Sequence, residues 1–512
     1  MRIVTLLILY LFYSCYSSQA QNNTYHEARF ADIDRLKNLD QCWPVLDKMF
    51  TEYAEKNHLP GGIYGVVADG KLVHNFSYGY LDVIKKIPAS STSVFRIASM
   101  TKSFTAMAIL KLRDEGKLRL DDPAYKYIPE LKGQHYPTSD AADITIRNLL
   151  THGAGFPEDN PWGDRQLANT DEELIDLVKK GIRFSNDPGQ SFEYSNLGFT
   201  LLGYIIKKVS GMRYEDYISQ NILKPLGMNH TYWEYSNVPE NELAKGYKWT
   251  GDRWVEQMML HDGAYGAMGG MMTTIEDFSK YVSLHLSAWP PRNEVEKGPV
   301  KRSSIREMQF PWNFSGISIN YKNAAGQSCP ISNAYGYGLG VSIFCDRKVA
   351  VGHSGGLPGF GSHWRIFPEY GIGIISFANR TYSPMGGFDG PAMDSILSIT
   401  HLTPRQLPPS DILSQRKNEI VALLPGWVNA KSNPIFAMNF FMDNPLEIMK
   451  TQSVAAFEKA GKIIHVGDVV PENQMRGYFI LEGEKANIRI FFTLTPEQDP
   501  KIQEFHIDVI DK

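Results

Sequence analysis

The sequence predicts an α+β fold, within the broader α/β class, in which both ends of one domain build an antiparallel sheet around an inserted helical subdomain. A helical pattern over 26–57 leads into a β-hairpin, with strands at 61–67 and 72–76 joined by the turn Asp69-Gly70. Helical patches joined by Gly- and Pro-rich loops follow, from about residue 104 to residue 285. Strand patterns then return at 335–344, 348–352, 362–367 and 371–377. This arrangement predicts a cleft between the sheet and the helical insert.

The first twenty residues predict an export signal. Met1-Arg2 precedes an apolar run over 3–13, and Ser18-Gln19-Ala20 supplies the small residues typical of a signal-peptidase site. The apolar run is short for a membrane span. We therefore expect a signal peptide over 1–20, cleavage after Ala20, and a secreted or periplasmic mature chain with no stable membrane span.

Composition and length favour a large domain with a smaller one behind it. The 512 residues are 43% hydrophobic and 12% aromatic, which is ample for two cores. The net charge of −4 argues against a nucleic-acid partner. We assign the main domain to 21–400 and a polar, Pro-rich linker to 401–412.

The C-terminal region 413–512 is predicted to be a small α+β roll, cystatin-like in general shape. An amphipathic helix is expected over 444–460, with strands at 462–466, 474–481, 487–494 and 503–510. It contains no catalytic set, so we interpret it as an accessory domain that serves a partner or an oligomer contact.

Three cysteines remain once Cys15 leaves with the signal. The remaining cysteines are Cys42, Cys329 and Cys345. Three cysteines can form at most one intrachain disulfide, and Cys329 and Cys345 are the pair nearest in sequence. Nothing in the spacing suggests a metal site. We expect neither a metal nor a cofactor.

The chemistry of the chain centres on Ser99 and Lys102. On a helix, three residues of spacing place both side chains on one face, where an amine can take the proton of a hydroxyl nucleophile. Burial would lower the lysine pKa towards neutrality, and the free N–H groups of a helix start favour negative charge on the serine oxygen. A second copy of this spacing, Ser414 to Lys417, lies in a polar stretch and is interpreted as chance. The apolar helical pattern after Ser99, which Gly116 ends, distinguishes the first copy.

Two further motifs follow in chain order. Tyr194-Ser195-Asn196 stands before an apolar helix over 197–206, and His353-Ser354-Gly355-Gly356 ends a strand. Together with Ser99 and Lys102, they resemble the three motifs of the serine penicillin-recognising enzymes. The tyrosine makes the chain most similar to the branch of class C β-lactamases, D-alanyl-D-alanine carboxypeptidases, D-aminopeptidases and esterases. The resemblance covers roughly 35–400 and includes the segments 144–155, 224–228 and 269–274.

This resemblance implies a β-lactamase/transpeptidase-like fold and acyl transfer through Ser99. Lys102 and Tyr194 would share the role of base, with a nearby ammonium lowering the phenol pKa. Asn196 would orient the substrate or Lys102. The strand motif would serve the substrate: His353, Ser354 and Gly355 would line its side, and the N–H groups of Gly356 and Ser99 would form the oxyanion hole.

Position 353 departs from the β-lactamase pattern, which prefers lysine there. A mostly neutral histidine attracts a substrate carboxylate less, so the sequence favours a peptidase or esterase over an efficient β-lactamase. The interpretation is a secreted serine hydrolase of D-amino-acid peptides, β-lactam-like compounds, small esters or amides. The alternative is a non-hydrolytic module that binds peptidoglycan or β-lactams. The intact set of Ser99, Lys102 and Tyr194 favours the hydrolase.

Three other features receive structural interpretations. Tyr235-Ser236-Asn237 repeats the second motif without an apolar helix behind it, and we interpret it as a decoy. His152 is expected to support a loop. The loops 156–170 and 289–333 are expected to set substrate specificity.

Overall fold

A computed structural model describes residues 25–322 and 326–512, and the predicted signal peptide lies outside these ranges. The chain divides into two compact units, one formed by 30–405 and one in which 406–512 joins residues 25–29. The division falls within the predicted linker. The residues 25–29, which the sequence assigned to the main domain, group with the C-terminal unit, and the backbones of Arg29 and Gln406 exchange two hydrogen bonds of 2.9 and 2.7 Å.

The larger unit contains strands and helices in alternating blocks. Its strands are β1 (Gly61–Ala68), β2 (Lys71–Asp82), β3 (Ile87–Pro88), β4 (Phe95–Arg96), β5 (Thr231–Tyr232), β6 (Tyr247–Trp249), β7 (Trp254–Glu256), β8 (Met272–Thr273), β9 (Asn313–Ser318), β10 (Ile331–Tyr335), β11 (Gly340–Ile343), β12 (Val349–Leu357), β13 (Phe360–Phe367) and β14 (Ile372–Ala378). Its α-helices are α1 (Trp43–Lys56), α2 (Thr101–Asp114), α3 (Ile146–Leu150), α4 (Asp171–Lys179), α5 (Asn196–Ser210), α6 (Tyr214–Ile218), α7 (Lys224–Leu226), α8 (Gly266–Gly269), α9 (Ile275–Ser287), α10 (Arg302–Met308) and α11 (Gly386–Thr400).

The centre of this unit is a nine-stranded antiparallel sheet with the strand order β3-β2-β1-β14-β13-β12-β11-β10-β9. Strand β1, from the start of the unit, pairs with β14, from its end, and Gly62 lies opposite Ala378. The prediction of one sheet built from both ends of the domain is therefore confirmed.

Both faces of the sheet are covered, which explains why every residue of β1 is buried. Ile63 and Val67 belong to the core that includes the inserted helices, whereas Tyr64 and Val66 belong to the core under α1 and α11. Alternate side chains of a strand point to opposite faces, so one continuous apolar run can serve two cores.

Helix α2 crosses the first of these cores. It follows a 3-10 turn over Ala98–Met100 and packs against α5 and α8, so it is buried on nearly every side. Gly116, with φ of 73°, follows its end in the left-handed conformation that glycine adopts without strain. The β10–β11 turn also approaches α2 closely: a Cβ on Gly338 would lie 2.7 Å from the carbonyl oxygen of Lys102. These contacts fix the position of the segment that carries Ser99 and Lys102.

Some predicted boundaries are wrong. The single strand expected over 335–344 is the end of β10, a turn and β11, since Gly338 adopts φ of 68° between them. The helix expected over 26–57 begins only at Trp43, where Pro44 occupies the first turn. Strand β9 was not predicted. The Cys329–Cys345 disulfide is present near the ends of the β10–β11 hairpin, and Cys42 is a free, buried thiol.

The smaller unit is an α+β roll, as predicted. It comprises α12 (Asp411–Leu423), α13 (Phe440–Asp443), α14 (Leu446–Ala460), β15 (Ile463–Val466), β16 (Val470–Asn473), β17 (Arg476–Gly483), β18 (Asn487–Leu494) and β19 (Ile502–Ile510). The strands form one antiparallel sheet with α14 packed on it. Helix α12 was missed and carries the second Ser-x-x-Lys copy, whose Lys417 pairs with Asp468 at 3.4 Å. No helix in the ranges 25–322 and 326–512 is both long and apolar enough to span a bilayer.

Candidate active site

Ser99 lies on a strained turn between β4 and α2. Its neighbour Ala98 has φ of +50°, a left-handed conformation that costs a residue with a Cβ about 1–3 kcal/mol. The Thr101 hydroxyl fixes the turn by donating to the carbonyl of Ala98 at 2.7 Å. The Ser99 side chain opens on a cavity and the residue is 7% exposed. Such strain at a nucleophile is typical of active sites, where the surrounding structure holds one reactive geometry.

Lys102 is fully buried beside Ser99. Its Nζ lies 3.0 Å from Ser99 Oγ, 2.7 Å from Asn196 Oδ1 and 2.9 Å from the carbonyl oxygen of Met268. Burial lowers the lysine pKa to about 7, against the opposing effect of the carboxylates of Asp164 and Asp159. The residues that the sequence placed three apart are therefore in hydrogen-bond contact.

The three acceptors around Nζ have a chemical consequence. An ammonium would donate one proton to each acceptor. A neutral amine donates two, to the oxygens of Asn196 and Met268, which can only accept. Its lone pair is then left facing the Ser99 hydroxyl. Since the pKa of Lys102 is near 7, this neutral form is well populated at physiological pH, and Lys102 can act as a general base.

Tyr194 stands over the same amine. Lys102 Nζ lies 4.9 Å from the centre of the phenol ring, and Tyr194 lines the same cavity as Ser99. Burial raises the pKa of Tyr194 above its usual value, and the carboxylates of Asp164 and Asp159 raise it further. The expectation that a nearby ammonium lowers this pKa is wrong, because desolvation of the buried phenol dominates. Tyr194 is therefore a neutral phenol that can donate or relay a proton.

Asn196 is the first residue of α5 and is fully buried. Its side-chain oxygen accepts from Lys102, and its Nδ2 donates to Asn160 Oδ1 at 2.6 Å. Two hydrogen bonds hold the start of the helix in place. Ser195 Oγ accepts from the N–H of Gly198 at 3.3 Å, and the Asp159 carboxylate accepts from the N–H of Asn196 at 2.6 Å. Of the two roles predicted for Asn196, orientation of Lys102 is the one visible in these contacts.

The third motif lies at the end of β12. Ser354 and Gly356 line the cavity with Ser99. Gly355 lets the strand approach the serine turn, because a Cβ there would lie 2.2 Å from the carbonyl oxygen of Ile97. The oxyanion role of the N–H groups of Ser99 and Gly356 stays a prediction.

His353 is buried and is not among the residues that line the cavity. Its Nδ1 donates to the backbone carbonyl of Ser354, which can only accept, so its Nε2 is left to accept from the hydroxyl of Tyr335 at 2.7 Å. Burial, together with the charge of Lys102, lowers the His353 pKa to about 3. This neutral ring differs from the substrate-facing group that the sequence predicted, and it orients β12 against β10.

His152 has the supporting role that was predicted. It is buried, and its Nδ1 accepts from the N–H of Ser195 at 3.0 Å. Its ring packs 4.2 Å from that of Tyr194, between ring centres. The decoy Tyr235 bonds to His261 at 3.1 Å and does not line the cavity.

Three of the residues that line the cavity were not predicted individually from the sequence. Asn160, Asp164 and Tyr382 line a space of about 290 Å³ together with Ser99, Tyr194, Ser354 and Gly356. The first two belong to the predicted specificity loop 156–170, whereas 289–333 contributes none of the residues that line this space in the described chain. No local pattern marks Tyr382, which follows β14. In the described ranges no group of three His, Cys, Asp or Glu could hold a metal ion.

In this fold a buried lysine contacts a serine, and the ring of a tyrosine lies beside that lysine. The chain belongs to the β-lactamase family, whose model, described as Beta-lactamase, matches residues 46–397.

Two curated relatives share this region. Protein flp of Staphylococcus aureus (strain N315) is 33% identical over 359 residues, which cover 68% of this chain and 66% of the relative. The chain thus spans just under two thirds of that relative. Penicillin-binding protein 4* of Bacillus subtilis (strain 168) is 27% identical over 345 residues, which cover 65% of this chain and 71% of the relative.

Two solved structures share the fold. An octameric penicillin-binding protein homologue from Pyrococcus abyssi superposes with a TM-score of 0.57 and 23% identity, and covers 92% of this chain and 98% of its own. A class C β-lactamase superposes with a TM-score of 0.55 and 22% identity, and covers 72% of this chain and 99% of its own. At these identities the likeness concerns the fold alone, and it agrees with the predicted β-lactamase/transpeptidase-like architecture.

Proposed function

We propose that this protein hydrolyses small amides or esters through an acyl-enzyme on Ser99, with Lys102 as the general base. The observation that carries the proposal is the 3.0 Å contact between Lys102 Nζ and Ser99 Oγ, made by a fully buried amine whose pKa is lowered to about 7.

In the acylation step, Ser99 Oγ forms a bond to the substrate carbonyl carbon while its proton moves to the lone pair of Lys102. The carbonyl oxygen takes up the negative charge, and the N–H groups of Ser99 and Gly356 stabilise it. When the carbon–nitrogen or carbon–oxygen bond of the substrate breaks, the leaving group takes a proton from Lys102, directly or through the Tyr194 hydroxyl. Water then attacks the acyl-enzyme with the same groups acting in reverse.

The class of substrate follows from position 353. Its neutral, buried histidine presents no cation to a β-lactam carboxylate, which argues for D-amino-acid peptides, amides or small esters over efficient hydrolysis of β-lactams. The name of the B. subtilis relative, a penicillin-binding protein, supports acylation by penicillin. We therefore expect penicillin to form a slowly released adduct.

We also propose that the protein is exported and cleaved after Ala20. The apolar run over 3–13 and the small residues Ser18-Gln19-Ala20 support this proposal. The N-terminal sequence of the protein recovered outside the cytoplasm tests this. A mature chain that still begins at Met1 would contradict it.

The test of the activity is intact-mass spectrometry after exposure to a fluorophosphonate, a penicillin and a p-nitrophenyl ester. We expect one adduct on Ser99, absent in Ser99→Ala. The matched control is Ser414→Ala, which changes the serine of the second Ser-x-x-Lys copy and should label like the wild type. Adducts that persist in Ser99→Ala would reject the assigned nucleophile. No adduct with any probe would reject the hydrolase and favour a non-hydrolytic binding module.

A further inference from the structure

A second cavity lies between the central sheet and helix α11. Its volume is about 580 Å³, against about 290 Å³ for the cavity at Ser99, and it falls in the usual range for a small-molecule site. Ile331 and Phe344 of its wall belong to the core under α1 and α11, whereas Ala98, which precedes Ser99, belongs to the core on the other face of the sheet. The two cavities share no lining residue in the described chain. We refer to the second one as the α11 cavity.

Arg365, on strand β13, lines the α11 cavity with its charge unpaired. In the ranges 25–322 and 326–512, no residue accepts a hydrogen bond from its guanidinium and no carboxylate forms an ion pair with it. None of its nitrogens is fully buried, so the guanidinium is accessible from the cavity. Burial lowers the pKa of Arg365, against the opposing effect of Asp389 and Asp394. A guanidinium has five N–H donors, so the site lacks acceptors that a ligand can supply.

The carboxylate on the same wall already has partners. Asp394 Oδ2 accepts from the hydroxyl of Tyr321 at 3.0 Å, and Asp394 Oδ1 lies 3.9 Å from Lys348 Nζ. Both oxygens are therefore engaged by groups other than Arg365. Asp394 lowers the cost of keeping Arg365 charged, but it does not provide the acceptors that the guanidinium lacks.

The second carboxylate that interacts with Arg365 lies outside the cavity wall. Asp389 is fully buried, and its Oδ2 is 2.7 Å from Nδ1 of His363. Among the described residues of the wall itself, the charged ones are Arg365, Lys322 and Asp394. Two cations and one paired carboxylate give the wall a net positive charge, which favours an anion.

Gly390 of α11 leaves open the space in front of the guanidinium. A Cβ there would lie 3.4 Å from Arg365 Nη1 and, the helix's own backbone aside, would meet no other atom within 4 Å. Another part of the wall is apolar and consists of Ile331, Phe344, Pro391 and Ile399. The cavity thus combines an unpaired cation with an apolar surface, which is complementary to a ligand with an anionic group and an apolar body.

We propose that the α11 cavity binds an amphipathic carboxylate, with the carboxylate group against Arg365 and the apolar body against Ile331, Phe344 and Ile399. The planar guanidinium matches a carboxylate through two parallel hydrogen bonds. A single negative charge suits this wall better than the double charge of a phosphate monoester, because Asp394 repels anions. The site goes beyond the proposed function, since Ser99 has no part in it.

Isothermal titration calorimetry of the full chain with octanoate and octanamide tests the proposal. At neutral pH the two probes share one apolar chain and differ in the charge of the group at its end. We expect one octanoate per chain, bound about 10- to 100-fold more tightly than octanamide, the range for hydrogen bonds to charged groups. Ser99→Ala should bind octanoate like the wild type, because Ser99 does not line the α11 cavity.

Substitutions of Arg365 assign the preference to its guanidinium. Arg365→Gln removes the charge and should bring the ratio of the two affinities close to one, while octanamide binds as in the wild type. Arg365→Lys keeps a cation without the planar fork, so it should retain part of the preference. Arg183→Gln is the matched control, since Arg183 is exposed and lies outside the cavity wall, and it should keep the wild-type ratio. Thermal unfolding checks that each variant is folded.

The wild-type chain alone can overturn the proposal, if it binds octanoate no more tightly than octanamide. A folded Arg365→Gln chain that keeps the wild-type ratio would also overturn it. Loss of octanoate binding in Ser99→Ala would place the probe in the catalytic cavity, and tighter binding of octyl phosphate than of octanoate would contradict the assignment to a carboxylate. None of these measurements requires catalysis, so they stand whether or not Ser99 is acylated.

Discussion

At the scale of single residues, the proposed role of Lys102 as general base makes its pKa the determinant of the pH dependence of acylation. Burial lowers it from 10.5 to about 7, and only the neutral amine can take the serine proton. We predict that the rate of Ser99 acylation rises about tenfold per pH unit below pH 7 and levels off above it. His353, whose pKa is lowered to about 3, contributes no further step in this range. Stopped-flow acylation by an uncharged p-nitrophenyl ester from pH 5 to pH 9 measures the profile.

The substitution Lys102→Arg tests the same role of Lys102, because it keeps a cation in place but removes the base. We expect acylation to fall by about 10²–10⁴-fold, the usual contribution of a general base. Lys111→Arg is the control, since Lys111 is on the same helix and pairs with Glu115 at 3.3 Å. A flat profile from pH 5 to pH 9, or an active Lys102→Arg enzyme, would show that another group removes the proton.

At the scale of elements, the N-terminus of α5 connects stability to catalysis. Ser195 Oγ caps this helix, and its next residue, Asn196, bonds to Lys102. We predict that Ser195→Ala lowers the free energy of unfolding by about 0.5–2 kcal/mol and also lowers kcat, because the first turn that orients Asn196 loosens. Denaturant unfolding and steady-state rates measure the two effects.

Thr170→Ala is the matched control for that prediction. Thr170 caps α4 by accepting from the N–H of Glu173 at 3.2 Å, and it does not line the cavity. The substitution should cost a similar free energy while kcat stays at the wild-type value. Equal losses of kcat in both variants would mean that the effect of Ser195→Ala is global and does not act through Asn196.

The sequence was informative wherever the chemistry is local. Ser99 and Lys102 are one helical turn apart, and the central strands β1 and β14 carry continuous apolar runs, so spacing and composition were enough to predict them. The β10–β11 turn was missed because buried apolar residues continue through both strands. Tyr382 and Asp164 are 218 residues apart in the chain, and only the tertiary fold brings them into contact.

The pKa of Tyr194 shows a second limit. The sequence indicated that a cation stands near the phenol, which is correct, since Lys102 Nζ lies 4.9 Å from the ring centre. It could not weigh that cation against burial, because the extent of burial depends on packing from several distant segments. The proposed mechanism therefore gives the role of base to Lys102 alone.

At the scale of the whole molecule, the two units have separate hydrophobic cores. Trp427, Met449 and Phe479 belong to a core formed only by residues of the C-terminal region. The two main cores of the larger unit, and every residue that lines the cavity, come from 30–405. The residues of the candidate active site therefore pack on cores to which the C-terminal region contributes no buried residue.

We therefore predict that a chain of residues 30–405 folds and retains acylation of Ser99. Its rate with an uncharged ester should lie within about threefold of that of the full chain, a difference below 1 kcal/mol in the barrier. Intact-mass spectrometry after fluorophosphonate treatment measures labelling, and Ser99→Ala in the same fragment is the control. A soluble fragment that fails to label would show that the C-terminal region contributes to the reactive geometry of the site. An insoluble fragment would show that the C-terminal region is needed for folding of the larger unit. Either result would contradict the prediction that the larger unit folds independently of the C-terminal region.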